Sequence, residues 1–300
     1  MNKLPKKIWV FFRTVILTGI SFIIMYPVIY MVSCAFREST DMNDPSVMWL
    51  PKHFTLDVMK DTIKAMDFGN TLKNTLFLNV GCAVVQVISC AVTGYGFARF
   101  DFRGKRFLSA IVIMMILVPP QVISLPLYTQ FMNFGIGSFR INLIDNMLTM
   151  YLPAITANGL KAGLMILIFR QFFSGLPREL EDAAYIDGCS PLRTFTAVIL
   201  PNALPAVLTV FLFSVVIYWN DCYTSTVFFR NTKTLTLVLE NLDSQLKKNL
   251  FGSADVQISP REQIVWKEAG CLLSITPLLV MYVCLQKHFT EGIERSGLVM

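Results

Sequence analysis

Apolar runs of about 20 residues, the length needed to cross a hydrocarbon core of roughly 30 Å, recur six times along the chain. They cover residues 14–36, about 75–98, 107–132, 146–169, 203–229 and 269–285. Each run is far too long and too uniformly apolar for a strand, and the segments between them are polar. The pattern predicts an all-α, polytopic membrane protein with six transmembrane helices. The first run follows Lys3, Lys6, Lys7 and Arg13, as a signal peptide does. It is too long for a cleavable apolar region and lacks a small-residue cleavage site, so it is expected to stay as an anchor.

Charge in the short segments sets the direction of the spans. The N-terminal tail has those four cations and no acid, and the loop after the second run carries Arg99, Arg103, Lys105 and Arg106 against Asp101. The positive-inside bias places both in the cytoplasm. Six crossings then return the C-terminus, with Lys287 and Arg295, to the cytoplasmic side. Segments 36–73 and 230–268 are expected outside, each long enough to meet an external partner.

Composition agrees with the pattern. The chain is 54% hydrophobic and 15% charged, against about 25% charged for a soluble domain. A water-soluble globule is thereby excluded. The net charge of +6 lies beside the apolar runs, where it orients spans rather than binding nucleic acid. Seven cysteines contain no CxxC pair, and six of them sit in or beside apolar runs. They read as small buried hydrophobes rather than disulfides or metal ligands. His53 and His288 flank different spans, so no metal site is expected. The chain has no GxxxxGK[ST] phosphate loop, nucleophile elbow or dinucleotide fingerprint, which argues against an enzyme. No repeat of fixed period supports an inverted-repeat carrier.

One polar loop stands apart. Between the fourth and fifth runs lies Glu179-Leu180-Glu181-Asp182-Ala183-Ala184-Tyr185-Ile186-Asp187-Gly188. Pro177 is suited to open a helix and Gly188 to end it. Leu180, Ala183, Ala184 and Asp187 share one narrow face of small residues beside carboxylates. The alanines allow close approach of another surface, and Glu179, Glu181 and Asp182 are available to pair with its cations. Ser190-Pro191 opens a second short helix, and Leu200-Pro201 with Pro205 marks the return to the membrane. On helix chemistry alone the loop could equally be a solvated hairpin joining two spans.

The spacing of Asp182-Ala183-Ala184, Gly188, Val198 and Leu200-Pro201 resembles the EAA loop of ABC importer permeases, with Asp182 for the usual Glu and Val198 for the usual Ile. Similar likenesses lie at Gly94-Tyr95-Gly96-Phe97-Ala98-Arg99-Phe100, Val118-Pro119-Pro120-Gln121-Val122, Phe169-Arg170-Gln171-Phe172-Phe173 and Trp219-Asn220-Asp221. Together they resemble the six-span subunits of maltose-type carbohydrate importers. The resemblance implies an ABC importer type I permease fold in a bacterial cytoplasmic membrane, with both termini cytoplasmic. It divides the chain into 1–70 (tail, first helix, external loop), 71–286 (transmembrane domain with coupling loop 174–201) and 287–300 (C-terminal tail). It implies ATPase coupling through Glu181, Asp182, Ala183, Ala184, Asp187, Gly188, Leu200 and Pro201. The implied partners are a second permease in a heterodimer, two ATPase subunits holding ATP and Mg²⁺, and an extracytoplasmic substrate-binding protein. The implied substrate is a carbohydrate. A permease for another solute, such as glycerol phosphate or a peptide, and more remotely a secondary carrier, are the alternatives.

Polar residues inside the spans are the candidates for the translocation path. Lys161 lies nine residues before Arg170, so about 13 Å from the cytoplasmic end and near the midplane. A lysine there costs several kcal/mol unless it faces a wet cavity or a partner. Asn158, one helical turn away, and Asn220, Asp221 and Gln121 complete the set. Lys161 either lines the path or forms an ion pair with the partner permease. Tyr218 and Trp219 either stack on a sugar ring or pack.

Overall fold

The computed structural model describes residues 3–38, 41, 44, 50–137, 139–250, 252 and 259–297. The side chains of Lys3, Lys6, Lys287 and Arg295 lie outside the described residues. Helices dominate: α1 (Lys3–Ala35), α2 (Asp57–Ala65), α3 (Phe68–Arg99), α4 (Lys105–Leu117), α5 (Pro120–Met132), α6 (Leu148–Ile155) and α7 (Ala162–Gly175) come first. They are followed by α8 (Glu179–Ile186), α9 (Pro191–Thr194), a π-helical turn Phe195–Ile199, α10 (Leu200–Asn202), α11 (Leu204–Trp219), α12 (Tyr223–Phe228), α13 (Leu235–Glu240), α14 (Leu242–Leu250) and α15 (Pro260–Gly297). A hairpin of β1 (Phe134–Ile136) and β2 (Phe139–Ile141) pairs Gly135 with Arg140.

Three segments are long and apolar enough to cross a membrane as single helices: Lys7–Ala35, Phe68–Arg99 and Pro260–Gln286. The other expected spans are not single helices. The 107–132 run is split into α4 and α5, bent by 102°. The cause is Pro119-Pro120: Val118 before them is extended, and Pro120 starts the new helix, because the proline ring clashes with a helical residue preceding it. The 203–229 run ends its helix at Trp219 and restarts at Tyr223, and α11 is itself bent 79° from the segment Pro191–Asn202. The 146–169 run is broken between α6 and α7. This last break positions the site described below.

The chain divides into two compact units, Met1–Phe68 with Val238–Pro277, and Gly69–Leu237 with Leu278–Met300. In the first, α14 lies against α2, burying Val58, Ala65, Met66, Leu242 and Leu246. Nearby, the buried Asp41 carboxylate accepts the backbone N–H groups of Lys52 and His53 and meets the His53 ring 2.7 Å away. These contacts hold Asp41 below the ordinary carboxylate range, the His53 backbone bond acting most strongly. The Asp41 carboxylate in turn raises His53.

The second unit is organised around α7, which packs against α4 and α11 and buries Met165, Ile166, Phe169 and Phe173. Two glycines set how closely its neighbours approach. A Cβ on Gly94 of α3 would lie 2.6 Å from Phe169 Cβ, and one on Gly163 of α7 would lie 2.7 Å from the Val112 carbonyl oxygen on α4. Association of helices in lipid has no water-driven hydrophobic term, so such close contacts supply much of the attraction. Gly94→Val therefore forces α3 and α7 apart, at a cost of about 1–3 kcal/mol for overpacking. A drop in the melting temperature of the detergent-solubilised protein is the expected result, with Gly96→Val as the control, since nothing lies within 4 Å of the Gly96 position.

Candidate functional site: a broken span and an anchored loop

The break between α6 and α7 covers residues 156–161. Pro153 lies inside α6, whose helix ends at Ile155. Ala157 and Lys161 both take left-handed conformations with φ of 54°, a strained choice for residues other than glycine. Irregular backbone at membrane depth must find internal hydrogen-bond partners, because lipid offers none. Those partners come from α3. Gln86 Nε2 donates to the Leu160 carbonyl at 2.9 Å, and Ser89 Oγ donates to the Ala154 carbonyl at 2.6 Å. Tyr218 of α11 donates to Gln86 Oε1 at 2.7 Å, fixing the amide. Gly159 sits in this network so tightly that a Cβ would fall on Gln86 Oε1 and the Tyr218 hydroxyl.

Beside the break is a cavity of about 530 Å³. Asn158 and Lys161 line it, together with Ser124 and Gln130 of α5, Tyr218 and Thr224. The two residues meet through the turn rather than along one helix face. Lys161 is exposed to the cavity, and its ammonium has no carboxylate partner among the described residues. The other path candidates lie elsewhere. Asn220 donates to the Val216 carbonyl at the end of α11. Asp221 accepts from the N–H groups of Thr224 and Ser225 and from the Ser225 hydroxyl, so it caps α12. Gln121 is exposed at the start of α5, off the cavity wall. Tyr218 and Trp219 are buried.

The loop between α7 and α11 carries α8. Its C-terminus closes as a Schellman motif: Cys189 N–H reaches the Ala184 carbonyl, Gly188 N–H reaches the Tyr185 carbonyl, and Gly188 has φ of 80°. Glu181 departs from the expectation of an outward carboxylate. It is 9% exposed and turns inward, where Arg99 Nε lies 2.9 Å from Oε1 and the Tyr95 hydroxyl donates at 3.1 Å. Arg99 also donates to the Leu176 carbonyl at 2.8 Å. The 3.6-residue period explains the change, because Glu181 and Ala184 share the inner face with the half-buried Leu180. Asp182, Ala183, Asp187 and Gly188 remain exposed, Leu200 is half-buried and Pro201 exposed. Beneath α8, the rings of Tyr95, Phe173 and Phe195 cluster, with centroids 4.8–6.1 Å apart. The acidic pattern hides two exposed apolar residues: Ile186 at the end of α8 is 85% exposed and Leu192 on α9 73%.

The family profile described as binding-protein-dependent transport system inner membrane component matches residues 90–294. The chain belongs to that family. This family member is a transport subunit of the bacterial cytoplasmic membrane, not an enzyme. It is 25% identical to the arabinooligosaccharides transport system permease protein AraQ of Halalkalibacterium halodurans, covering 93% of this chain and 92% of AraQ. It is 29% identical to Protein LplC of Bacillus subtilis, over 92% and 90%, and 26% identical to the diacetylchitobiose uptake system permease protein DasC of Streptomyces coelicolor, over 91% of each. Its fold is that of an ABC importer permease. It superposes with a TM-score of 0.76 and 21% identity on a chain of a bacterial ABC transporter involved in the import of the acidic polysaccharide alginate, over 96% of this permease and 99% of that chain.

On the connection between α5 and α6, Asp145 forms a second fixed point that the sequence pattern does not flag. Its carboxylate accepts the backbone N–H groups of Arg230, Asn231 and Thr232 and the Asn231 side-chain amide. Asp145 is left-handed with φ of 66°, a conformation Asp and Asn tolerate. Burial pushes its carboxyl upward, but the donors of Thr232, Asn231 and Arg230 outweigh this and hold it well below the ordinary carboxylate range.

Two tests follow from these anchors. Arg99→Met leaves the buried Glu181 carboxylate without its cation, with the Tyr95 hydroxyl still donating, and loss of the cation costs up to about 3–5 kcal/mol for a fully buried pair. Hydrogen exchange across residues 179–190 should rise at least tenfold, and Arg99→Met/Glu181→Gln together should restore part of the protection. Because the folded carboxyl of Asp145 is depressed, its stabilisation is present above the ordinary carboxylate pKa and is lost only as pH falls through the depressed value. The clasp should therefore stay closed at pH 5. Asp145→Asn, which keeps the left-handed turn but removes the charge, should lose about 2 kcal/mol of local stability, read as faster exchange at Arg230, Asn231 and Thr232.

Proposed function

We propose that this permease is one of two membrane subunits of an ATP-driven importer, carrying a sugar or oligosaccharide handed over by an external binding protein. The observation that carries the coupling half of this reading is α8, a loop helix with its inner face fixed to α3 by Arg99, Glu181 and Tyr95 and its outer face free. A rigidly mounted α8 with exposed Asp182 and Ile186, followed by α9 with exposed Leu192, suits a socket on a cytoplasmic ATPase subunit, where ATP and Mg²⁺ would be held. ATP can shift a transporter between two states only through a contact that differs between them, and residues 174–201 supply that contact. A second, different permease completes a heterodimer. The carbohydrate assignment is supported by the names of AraQ and DasC, whose systems carry arabinooligosaccharides and diacetylchitobiose. Both termini are assigned to the cytoplasm, with six crossings, and residues 71–286 form the transporting domain.

The test is substitution at the exposed tip. Asp182→Lys, or Gly188→Pro, which cannot adopt a positive φ, should leave membrane insertion intact and cut oligosaccharide uptake by more than tenfold. The ATPase subunit should be lost on purification. Uptake at the normal rate, or uptake that persists after deletion of the ATPase subunit, would remove the coupling assignment.

A further inference from the structure

We propose that Lys161 selects a carboxylate-bearing substrate, an oligosaccharide containing uronic-acid units, at the cavity beside the broken span. The inference rests on the reading of this chain as an oligosaccharide permease and adds the charge of the cargo. Its basis is the composition of the cavity wall. Lys161 carries the only charge on it among the described residues, and no carboxylate faces it. Most of the wall is apolar, supplied by residues such as Met115, Leu127 and Met150. Beside a largely apolar wall the pull of an ammonium on an anion is stronger than in open water.

A neutral sugar gains little from that charge. Hydroxyl groups are bound equally well by amides and hydroxyls, and Asn158, Ser124, Gln130 and Thr224 already provide them on the same wall. A glutamine in place of Lys161 would serve a neutral ring without setting a lone cation in a largely apolar wall. The ammonium is matched instead by a negative charge on the cargo, with the neighbouring amides left to hold ring hydroxyls. One ammonium matches a monoanionic carboxylate, whereas a phosphate of about −2 charge would call for further cations, and none among the described residues lines the cavity. The left-handed backbone at Ala157 and Lys161, with the carbonyl of Leu160 tied to Gln86, fixes where the side chain leaves the chain.

The experiment uses the complete importer, with its second permease, ATPase subunits and binding protein, in proteoliposomes. Uptake of short oligomers of galacturonate, glucuronate and mannuronate is compared with uptake of their carboxyl-reduced counterparts. The wild type should favour at least one acidic series, and Lys161→Gln should lower the ratio of acidic to reduced uptake about tenfold, the size expected for one charge-assisted contact. Lys161→Arg should keep most of the ratio and Lys161→Glu should invert it. A wild type that moves only reduced oligomers, or a ratio that Lys161→Gln leaves unmoved, overturns the anionic assignment while leaving oligosaccharide import standing. An unmoved ratio accompanied by loss of the second permease from the purified Lys161→Gln complex would assign Lys161 to an inter-subunit ion pair. Failure of the wild type to move any oligosaccharide removes both readings.

Discussion

The demand that every backbone N–H and C=O in lipid be satisfied from within the protein governs this molecule. A continuous helix meets it automatically. The segment between Ile155 and Ala162 does not, and it is tolerated because Gln86 and Ser89 of α3 reach across to the Leu160 carbonyl and to the Ala154 carbonyl at the end of α6. Tyr218 then holds Gln86 from the opposite side. Removing Gln86 would take the donor from the Leu160 carbonyl, and removing Tyr218 would take it from Gln86 Oε1, in a low-dielectric setting where such a loss is costlier than the bond itself is favourable. The break and its three polar supports are therefore one unit, and the cavity exists because that unit holds the two half-helices apart.

The same helix α3 supports the loop at its other end. Gln86 and Ser89 serve the break, and Tyr95 and Arg99, two and three turns later, serve Glu181 and Leu176. Between the two sets, Gly94 brings α3 against Phe169 of α7. One continuous helix thus fixes both the cavity edge and the base of the exposed loop. Charge placement follows burial. Where Glu181 has Arg99 and Tyr95, it is drawn inward; where Asp182 has nothing comparable, it stays in solvent.

The apolar runs made most of this architecture legible, because length and hydropathy translate directly into membrane helices. Breaks were legible only where proline announced them, as at Pro119-Pro120. The break at residues 156–161 has Pro153 and Gly159 nearby but is decided by tertiary hydrogen bonds from residues 65 or more positions away, which no local pattern encodes. Gln86 is a polar residue inside an apolar run, but its target is set only by the fold. For α8 the period of 3.6 gave the helix but not which stripe faces the membrane domain, since acidic residues occur on both. Asp145 carries no sequence signal beyond being an acid before an apolar run, because its partners, residues 230–232, are brought to it only by the fold.

Helix α7 runs between the two candidate regions. Its 14 residues span about 21 Å at 1.5 Å per residue, with Lys161 at one end and the α8 loop at the other. Near its start, Gly163 is held against the Val112 carbonyl; further along, Phe169 is held against Gly94. Contacts this close have no slack for gradual sliding, because packed interfaces shift between discrete arrangements rather than deforming continuously. A force applied at α8 therefore either leaves α7 where it is or moves it with α3 and α4 as a body. In the second case the wall carrying Asn158 and Lys161 must move too, since the left-handed turn at Lys161 runs straight into Ala162 and the Leu160 carbonyl is tied to α3. Cavity and loop are thus joined by one continuous, closely packed stretch of backbone, from the turn at Lys161 through α7.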